Sequence, residues 1–376
     1  MAKKPEEICV GDYPFYCWRY EEQTEVKHNV IYEYIDCWIK ILGKYNKLNY
    51  FDCYGGCGAY VDKDSNIFYG SPIETAKIIN KNHISLDRDV NLVVIEKSGQ
   101  VLDNLKKVFT HIVPEAKPIY INENFDKAIN DLLDELEGKG STLAPTFFFV
   151  DPFGYSIKMD TIKRIMNVPK SEVLINFMFN FINRSINIPS EADRLNMLFG
   201  TSKWEEIRPK TGADREDSII NLYKKQTKMF SNYSYAYKLK FPDQNRTYYY
   251  LVHLTNHFKG CNIMKSAFAK HNSGRLEYSG NKGKDLSFFD LPEYKEDLIT
   301  NFFRNPSWKN KSLSFDEIIA IIIDDTPFIE KDIRTALKTM IKNGEIIRIP
   351  VTSKPNGTGL SKADTIEFKE NPNGKH

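Results

Sequence analysis

Asp52, Glu96 and Asp151 each follow an apolar run, so three carboxylates stand where three strands would end. The first belongs to Tyr50-Phe51-Asp52-Cys53-Tyr54-Gly55-Gly56-Cys57-Gly58, where a strand enters a glycine-dense turn whose backbone can approach a ligand without a Cβ in the way. The second closes Val93-Val94-Ile95-Glu96. The third opens Asp151-Pro152-Phe153-Gly154 after Phe147-Phe148-Phe149-Val150. Ligands of a doubly wound sheet sit beyond the carboxyl ends of its strands. That places Asp52, Tyr54, Gly55, Gly56 and Gly58 against a nucleoside cofactor, with Glu96 positioned to accept both ribose hydroxyls. Asn122, just after the next strand, is placed to read an adenine edge, and Asp52 to receive an ammonium by charge-assisted hydrogen bonding.

Strands alternating with helices would position these groups. Val26, Val30, Tyr34, Trp38 and Ile41 recur at three and four, which predicts an amphipathic helix over 22–42 closed by Gly43. Strands are expected at 48–53, 91–96, 118–121, 146–151 and 173–178, separated by helix-length sequence, hence a parallel sheet with helices on both faces. Ser71-Pro72-Ile73-Glu74 reads as a capped helix start, and residues 194–230 as helical. Residues 233–241 and 247–255 flank Pro242-Asp243-Gln244-Asn245 and read as a hairpin, an antiparallel addition to the sheet.

The expected fold class is therefore α/β: a Rossmann-like, doubly wound, mostly parallel sheet closed by an antiparallel hairpin. That is the arrangement of class I methyltransferases, and S-adenosylmethionine is the expected cofactor. A dinucleotide site would place its acid about 20 residues past the glycines. Here the interval is longer and holds the Ser71 helix. Asp151-Pro152-Phe153 compares with the Asp-Pro-Pro-aromatic tetrad of amino-methyltransferases, in which an acid and a backbone carbonyl hold the target amino group while a ring stacks on an extruded base. Phe153 stands at the second proline and Gly154 at the aromatic. The alternative is a strand-end turn with Asp151 bonding backbone amides.

The chain divides on this reading into 1–305 and 306–376. In the second part Ser314-Phe315-Asp316-Glu317 forms a capping box opening 318–323, and a helix over 330–343 stops at Gly344. Ile333, Leu337, Met340 and Ile341 form its buried face, while Lys331, Arg334, Lys338 and Lys342 share the opposite face. Strands at 346–349 and 365–368 with a flexible 353–359 between them complete a small winged-helix domain, its basic stripe expected on nucleic-acid phosphates. A solvated face used for protein contact is the other reading.

At 376 residues, 41% hydrophobic and 13% aromatic, the chain can fill the cores of two folded units. A net charge of +2 excludes a polycation, so any basic footprint is local. The apolar runs near 147–150 and 318–323 fall far short of the roughly 20 residues of a membrane span. With no visible signal peptide and no paired cysteine framework, a reducing cytoplasmic location is expected. Cys9, Cys17, Cys37, Cys53, Cys57 and Cys261 form no zinc spacing, the histidines are dispersed, and no metal is expected.

The helix ending at Leu42, the segment from Phe51 to Gly58, Gly70-Ser71-Pro72, Glu96, Phe149-Val150-Asp151-Pro152-Phe153-Gly154 and the region 255–264 with Gly260 together resemble the three-Cys-motif partner protein family (TcmP). This bacterial group is named for being encoded beside a protein with a three-cysteine motif and is similar in outline to class I methyltransferases. The resemblance implies a protein partner. It also frames the leading expectation, an adenosylmethionine-dependent methyltransferase acting on DNA or RNA in a mobile-element or phage-defence (antiviral) setting, with Asp151, Pro152 and Phe153 at the acceptor. The alternatives are a non-catalytic interaction module on the same fold and a nucleotide-dependent enzyme of another type.

Overall fold

The structure is a computed structural model that describes residues 6–20, 23–83, 89–240, 246–271, 276–279, 295–351 and 359–369. Glu22, the hairpin turn Pro242-Asp243-Gln244-Asn245 and most of the expected wing at 353–359 lie outside these residues. Two compact units divide between Leu276 and Glu277 rather than at 305/306.

In the first unit a small sheet of β1 (Ile8–Cys9), β2 (Tyr16–Arg19), β4 (Ala59–Val61) and β5 (Ile67–Tyr69) accompanies the large one. The remaining elements are, in chain order, α1 (Gln23–Leu42), β3 (Leu48–Asp52), α2 (Ser71–His83), β6 (Val90–Ile95), α3 (Gly99–Ile112), β7 (Ile119–Ile121), α4 (Phe125–Gly138), β8 (Thr146–Val150), α5 (Met159–Asn167), β9 (Ser171–Phe177), α6 (Phe179–Ser185), α7 (Ala192–Phe199), α8 (Gly212–Thr227), β10 (Tyr233–Lys240), β11 (Thr247–Thr255) and α9 (Phe258–Lys270). A short strand, β12 (Leu276–Ser279), stands at the division.

The seven strands of the large sheet that lie wholly in the first unit have the order β7-β6-β3-β8-β9-β11-β10. Counted along the chain from β3 this is third, second, first, fourth, fifth, seventh, sixth. The first five run parallel, and β11 runs antiparallel to both β9 and β10, as the hairpin reading expects. The near-continuous apolar composition of β3, β8 and β9 follows from burial on both faces. On one face α1 lays Tyr34 and Trp38 against Phe147, with ring centroids 5.2 and 6.2 Å apart, and packs beside α2 and α9. On the other, Phe51 and Phe148 stack at 4.9 Å in a core shared with Ile129, Ile162, Leu195 and Tyr223.

The small sheet was not legible in the sequence. Its strands have two to four residues, too few for a period-two pattern to show. It inserts the hairpin β4-β5 between the glycine turn and α2, and Gly70 N–H donates to Gly58 O at 2.9 Å to close it. Ser71 opens α2, but its hydroxyl donates to Asp52 Oδ2 at 2.6 Å rather than capping the helix.

Gly58 adopts φ +83°, and a Cβ there would stand 2.4 Å from Cδ1 of Leu105, a fully buried side chain of α3. Gly58→Ala is expected to destabilise the chain by about 2–4 kcal/mol, part overpacking and part left-handed backbone strain. Urea denaturation measures it, and Leu105→Ala in the same chain should relieve only the overpacking part.

The second unit contains α10 (Lys295–Phe303), β13 (Ser312–Ser314), α11 (Phe315–Ile322), α12 (Glu330–Lys342), β14 (Ile346–Ile349) and β15 (Thr365–Phe368). Its sheet is antiparallel in the order β13-β15-β14. The Ser314 capping box forms with Glu317 as the sequence predicts. α10 belongs here because its Phe303 packs 5.0 Å from Trp308 and 5.7 Å from Phe368, while Arg304 pairs with Glu345 at 2.8 Å.

Candidate functional site

Strand register explains why the three carboxylates meet. Asp52 is level with Val94 on β6 and Phe149 on β8, so side-chain alternation carries Glu96 and Asp151, two residues further on, to the same face as Asp52. Val150 pairs with Ile175 on β9, which sets Asn176 beside Asp151. That face is the one covered by α1.

Glu96 reaches the glycine turn. Gly56 N–H donates to its Oε2 at 3.2 Å and Ser98 N–H to its Oε1 at 2.8 Å. Asn122 donates through Nδ2 to the Glu96 backbone carbonyl at 2.8 Å, so Gly56, Glu96 and Asn122 form one group. Glu96 is half-buried and Asn122 exposed. A carboxylate oxygen holding one donor retains a lone pair for a second.

The glycines divide their work. A Cβ at Gly55 would stand 2.4 Å from Val94 Cγ1, and one at Gly58 would strike Leu105, so these two serve the packing of the turn on β6 and α3. Gly56, at φ +62°, faces the rings of Trp18 and Tyr60, whose nearest atoms would lie 3.4 and 3.5 Å from a Cβ. Tyr54 turns toward α4: its hydroxyl donates to Ser156 O at 2.9 Å and its ring lies 5.5 Å from Phe125.

Asp151 forms a second group with residues that sequence reasoning missed. Lys27 Nζ lies 2.5 Å from Asp151 Oδ2, and Asn176 Nδ2 donates to Asp151 Oδ1 at 2.5 Å. Only 8% of the Lys27 side chain and 21% of the Asp151 side chain is exposed. The ammonium also lies 6.0 Å from the Phe149 ring centre and 5.9 Å from that of Tyr249. Neighbouring His28 is held neutral, its pKa lowered to about 3 by burial and by the Lys27 charge. The signal for Lys27 was present: it falls in the buried row with Val30, Ile31 and Tyr34, and a lysine there demands a partner.

Asp52 is fully buried. Burial, helped by the charge of Asp151, raises its pKa to about 7 against the opposing Ser71 hydroxyl, Tyr54 amide and Lys27 ammonium. Such a carboxyl binds a proton in the folded chain at pH values where the unfolded chain has released it, so stability is gained as pH falls from about 7 toward about 4. Asp52→Asn is expected to remove that dependence. Urea midpoints at about pH 5 and about pH 8 test it, and the same pH difference in wild type and variant would contradict it.

Between the two groups stand tyrosines of α1 and the small sheet. Tyr60 is held well above its usual pKa by burial and by Cys57, Asp151, Asp52 and Glu96 together. The Tyr32 hydroxyl and Asp52 Oδ1 are buried without a hydrogen-bond partner among the described residues. Unmet buried polar atoms are costly. Together with the spare acceptors of Glu96, they fit a polar nucleoside-bearing ligand with hydroxyl and ammonium donors. Among the described residues no group of three or more His, Cys, Asp or Glu could hold a metal.

On α12, Lys331, Lys338 and Lys342 are exposed. Arg334 departs from the expected stripe: it is half-buried, pairs with Glu330 at 2.6 Å, donates to Leu360 O and lies 4.2 Å over the Phe315 ring. The aromatic ring and the Leu360 carbonyl draw the guanidinium inward. No described helix is long and apolar enough to cross a membrane.

No family model and no curated protein matches the chain. Among solved structures it is similar to a Legionella pneumophila protein of family DUF519, at 15% identity and TM-score 0.42 over 68% of this chain and 94% of that one. It is similar to a putative O-methyltransferase from Klebsiella pneumoniae, at 9% identity and TM-score 0.33 over 62% and 88%. It is also similar to magnesium protoporphyrin IX methyltransferase from Synechocystis with bound SAH, at 9% identity and TM-score 0.31 over 62% and 84%. At such TM-scores these likenesses assign neither cofactor nor substrate to this chain.

Proposed function

We propose that the first unit is an S-adenosylmethionine-dependent methyltransferase acting on nucleic acid, and that the second is a winged-helix docking module. The observation that carries this reading is the convergence of Glu96 and the Gly56 turn at the ends of β6 and β3. The strand order supports it: an antiparallel seventh strand inserted between the fifth and sixth is the class I methyltransferase arrangement. Glu96 would hold the ribose, Asn122 the adenine edge, and Asp52 Oδ1 with the Tyr32 hydroxyl the methionine end. The bound cofactor supplies an electrophilic methyl group.

The residues of the chain supply position. Asp151, fixed through both oxygens by Lys27 and Asn176, keeps lone pairs for a donor on the acceptor, and Phe153 offers its exposed ring beside it. In the second unit the order helix, strand, helix, helix, strand, strand supports the winged-helix reading, and the exposed Lys331, Lys338 and Lys342 of its third helix would meet phosphates. The resemblance to a partner-protein family adds a protein partner and a phage-defence or mobile-element setting.

One observation favours a second reading, a non-catalytic interaction module. The Gly56 amide is already taken by Glu96, and Trp18 and Tyr60 stand against the turn. Incubation with methyl-labelled cofactor and mixed DNA and RNA separates the two. Label is expected on one polymer and at least a hundredfold less of it with Asp151→Ala. Cofactor binding without transfer, unchanged by Asp151→Ala, selects the module.

A further inference from the structure

We infer that Phe181 and Arg184 on α6 join Phe153 in a platform for one nucleotide of a single-stranded nucleic acid, the rings taking the base and the guanidinium its phosphate. This inference rests on the nucleic-acid reading above and deepens it.

α6 follows β9 directly and spends Phe179 and Ile182 on the core. That leaves Phe181 half-buried and Arg184 exposed one turn further along. Phe153, just after Asp151, is 62% exposed, and its ring centroid lies 6.1 Å from that of Phe181 at an interplanar angle of 57°. Gly154, at φ +106°, turns the chain immediately behind it. The Arg184 guanidinium lies 5.0 Å over the Phe181 ring, and its Nε donates to Asn180 O at 3.0 Å.

Arg184 differs from its neighbours in charge pairing. Arg164 is held by Asp134 and Glu137, and Arg194 by Glu191, whereas no carboxylate pairs with Arg184 among the described residues. An exposed ring, a second ring beside it and a cation with open Nη donors match the parts of a nucleotide. Every base has a face to stack, and a planar guanidinium meets phosphate oxygens two at a time. Stacking needs an unpaired base, which makes the ligand a single strand.

The test uses the full chain and fluorescence anisotropy with a labelled mixed-sequence single strand, as DNA and as RNA, beside the same strand made abasic. Phe181→Ala is expected to weaken binding of the preferred strand about tenfold and to leave the abasic strand unchanged. Arg184→Ala is expected to weaken both strands and to lower the salt slope by about one. Phe181 also packs against the core, so the melting of each variant is read beside its binding, and the abasic strand shows whether a loss of affinity comes from the base or from the fold. Equal affinity in wild type and Phe181→Ala, an equal loss for the abasic strand, or no binding of any strand by the wild type overturns the inference. A protein as the true occupant would show as the first of these. Cofactor calorimetry on the same variants keeps the readings apart, because the platform stands if strands bind as expected while cofactor does not.

Discussion

Lys27→Met is expected to destabilise the chain by about 2–4 kcal/mol, because it leaves the Asp151 carboxylate largely buried and without its cation. The asymmetry of buried pairs sharpens this. Removing one partner strands a charge, whereas removing both replaces two desolvated ions by neutral groups. Adding Asp151→Asn to Lys27→Met should therefore recover much of the loss. Urea unfolding of the two single variants and the double closes the cycle, and purely additive losses would mean that the two groups do not act as a pair. Methyl transfer should fall at least a hundredfold in Lys27→Met while cofactor affinity changes little, since Lys27 acts through the orientation of Asp151.

Glu96→Ala is expected to weaken the binding of S-adenosylhomocysteine at least a hundredfold, from two lost hydrogen bonds to a charged acceptor at about 1.5–3 kcal/mol each. The same change strips the Gly56 and Ser98 amides of their acceptor, so a stability loss accompanies it. Glu96→Gln separates the two effects. Its side-chain oxygen can still accept from one amide, and it should retain most of the stability while losing at least tenfold in affinity. Calorimetry beside urea unfolding reads both quantities, and affinity that merely tracks stability would make Glu96 a turn-holding residue only.

Much of the main unit was legible because its strands are long and doubly buried. β3, β6, β8 and β9 announce themselves as apolar runs, and the β10-β11 hairpin as two aromatic-rich runs around a polar turn. The partners at their ends were not, because they depend on contacts distant in sequence. Nothing local to Asp151 says that Lys27, 124 residues earlier, will lie against it. Likewise the glycines read as a ligand cradle until Leu105 and Val94 are seen to fill the space over two of them. Ser71 carried a valid capping pattern, yet the helix begins at Ser71 itself, with Gly70 O accepting from the Ile73 and Glu74 amides, and its hydroxyl donates to the buried Asp52 carboxylate. Arg334 had the right spacing for a basic stripe, but helical periodicity places a side chain on a face without saying whether a ring and a carbonyl will draw it in.

The claim on which all of this turns is that Glu96 and the Gly56 turn cradle an adenosine. The most direct measurement is a crystal structure of the wild-type chain soaked with S-adenosylhomocysteine. The ribose hydroxyls are predicted within hydrogen-bonding distance of Glu96, with the homocysteine end toward Asp52 and Tyr32. A fully soaked crystal in which Glu96 still binds only Gly56 and Ser98, with no nucleoside against it, would contradict the account.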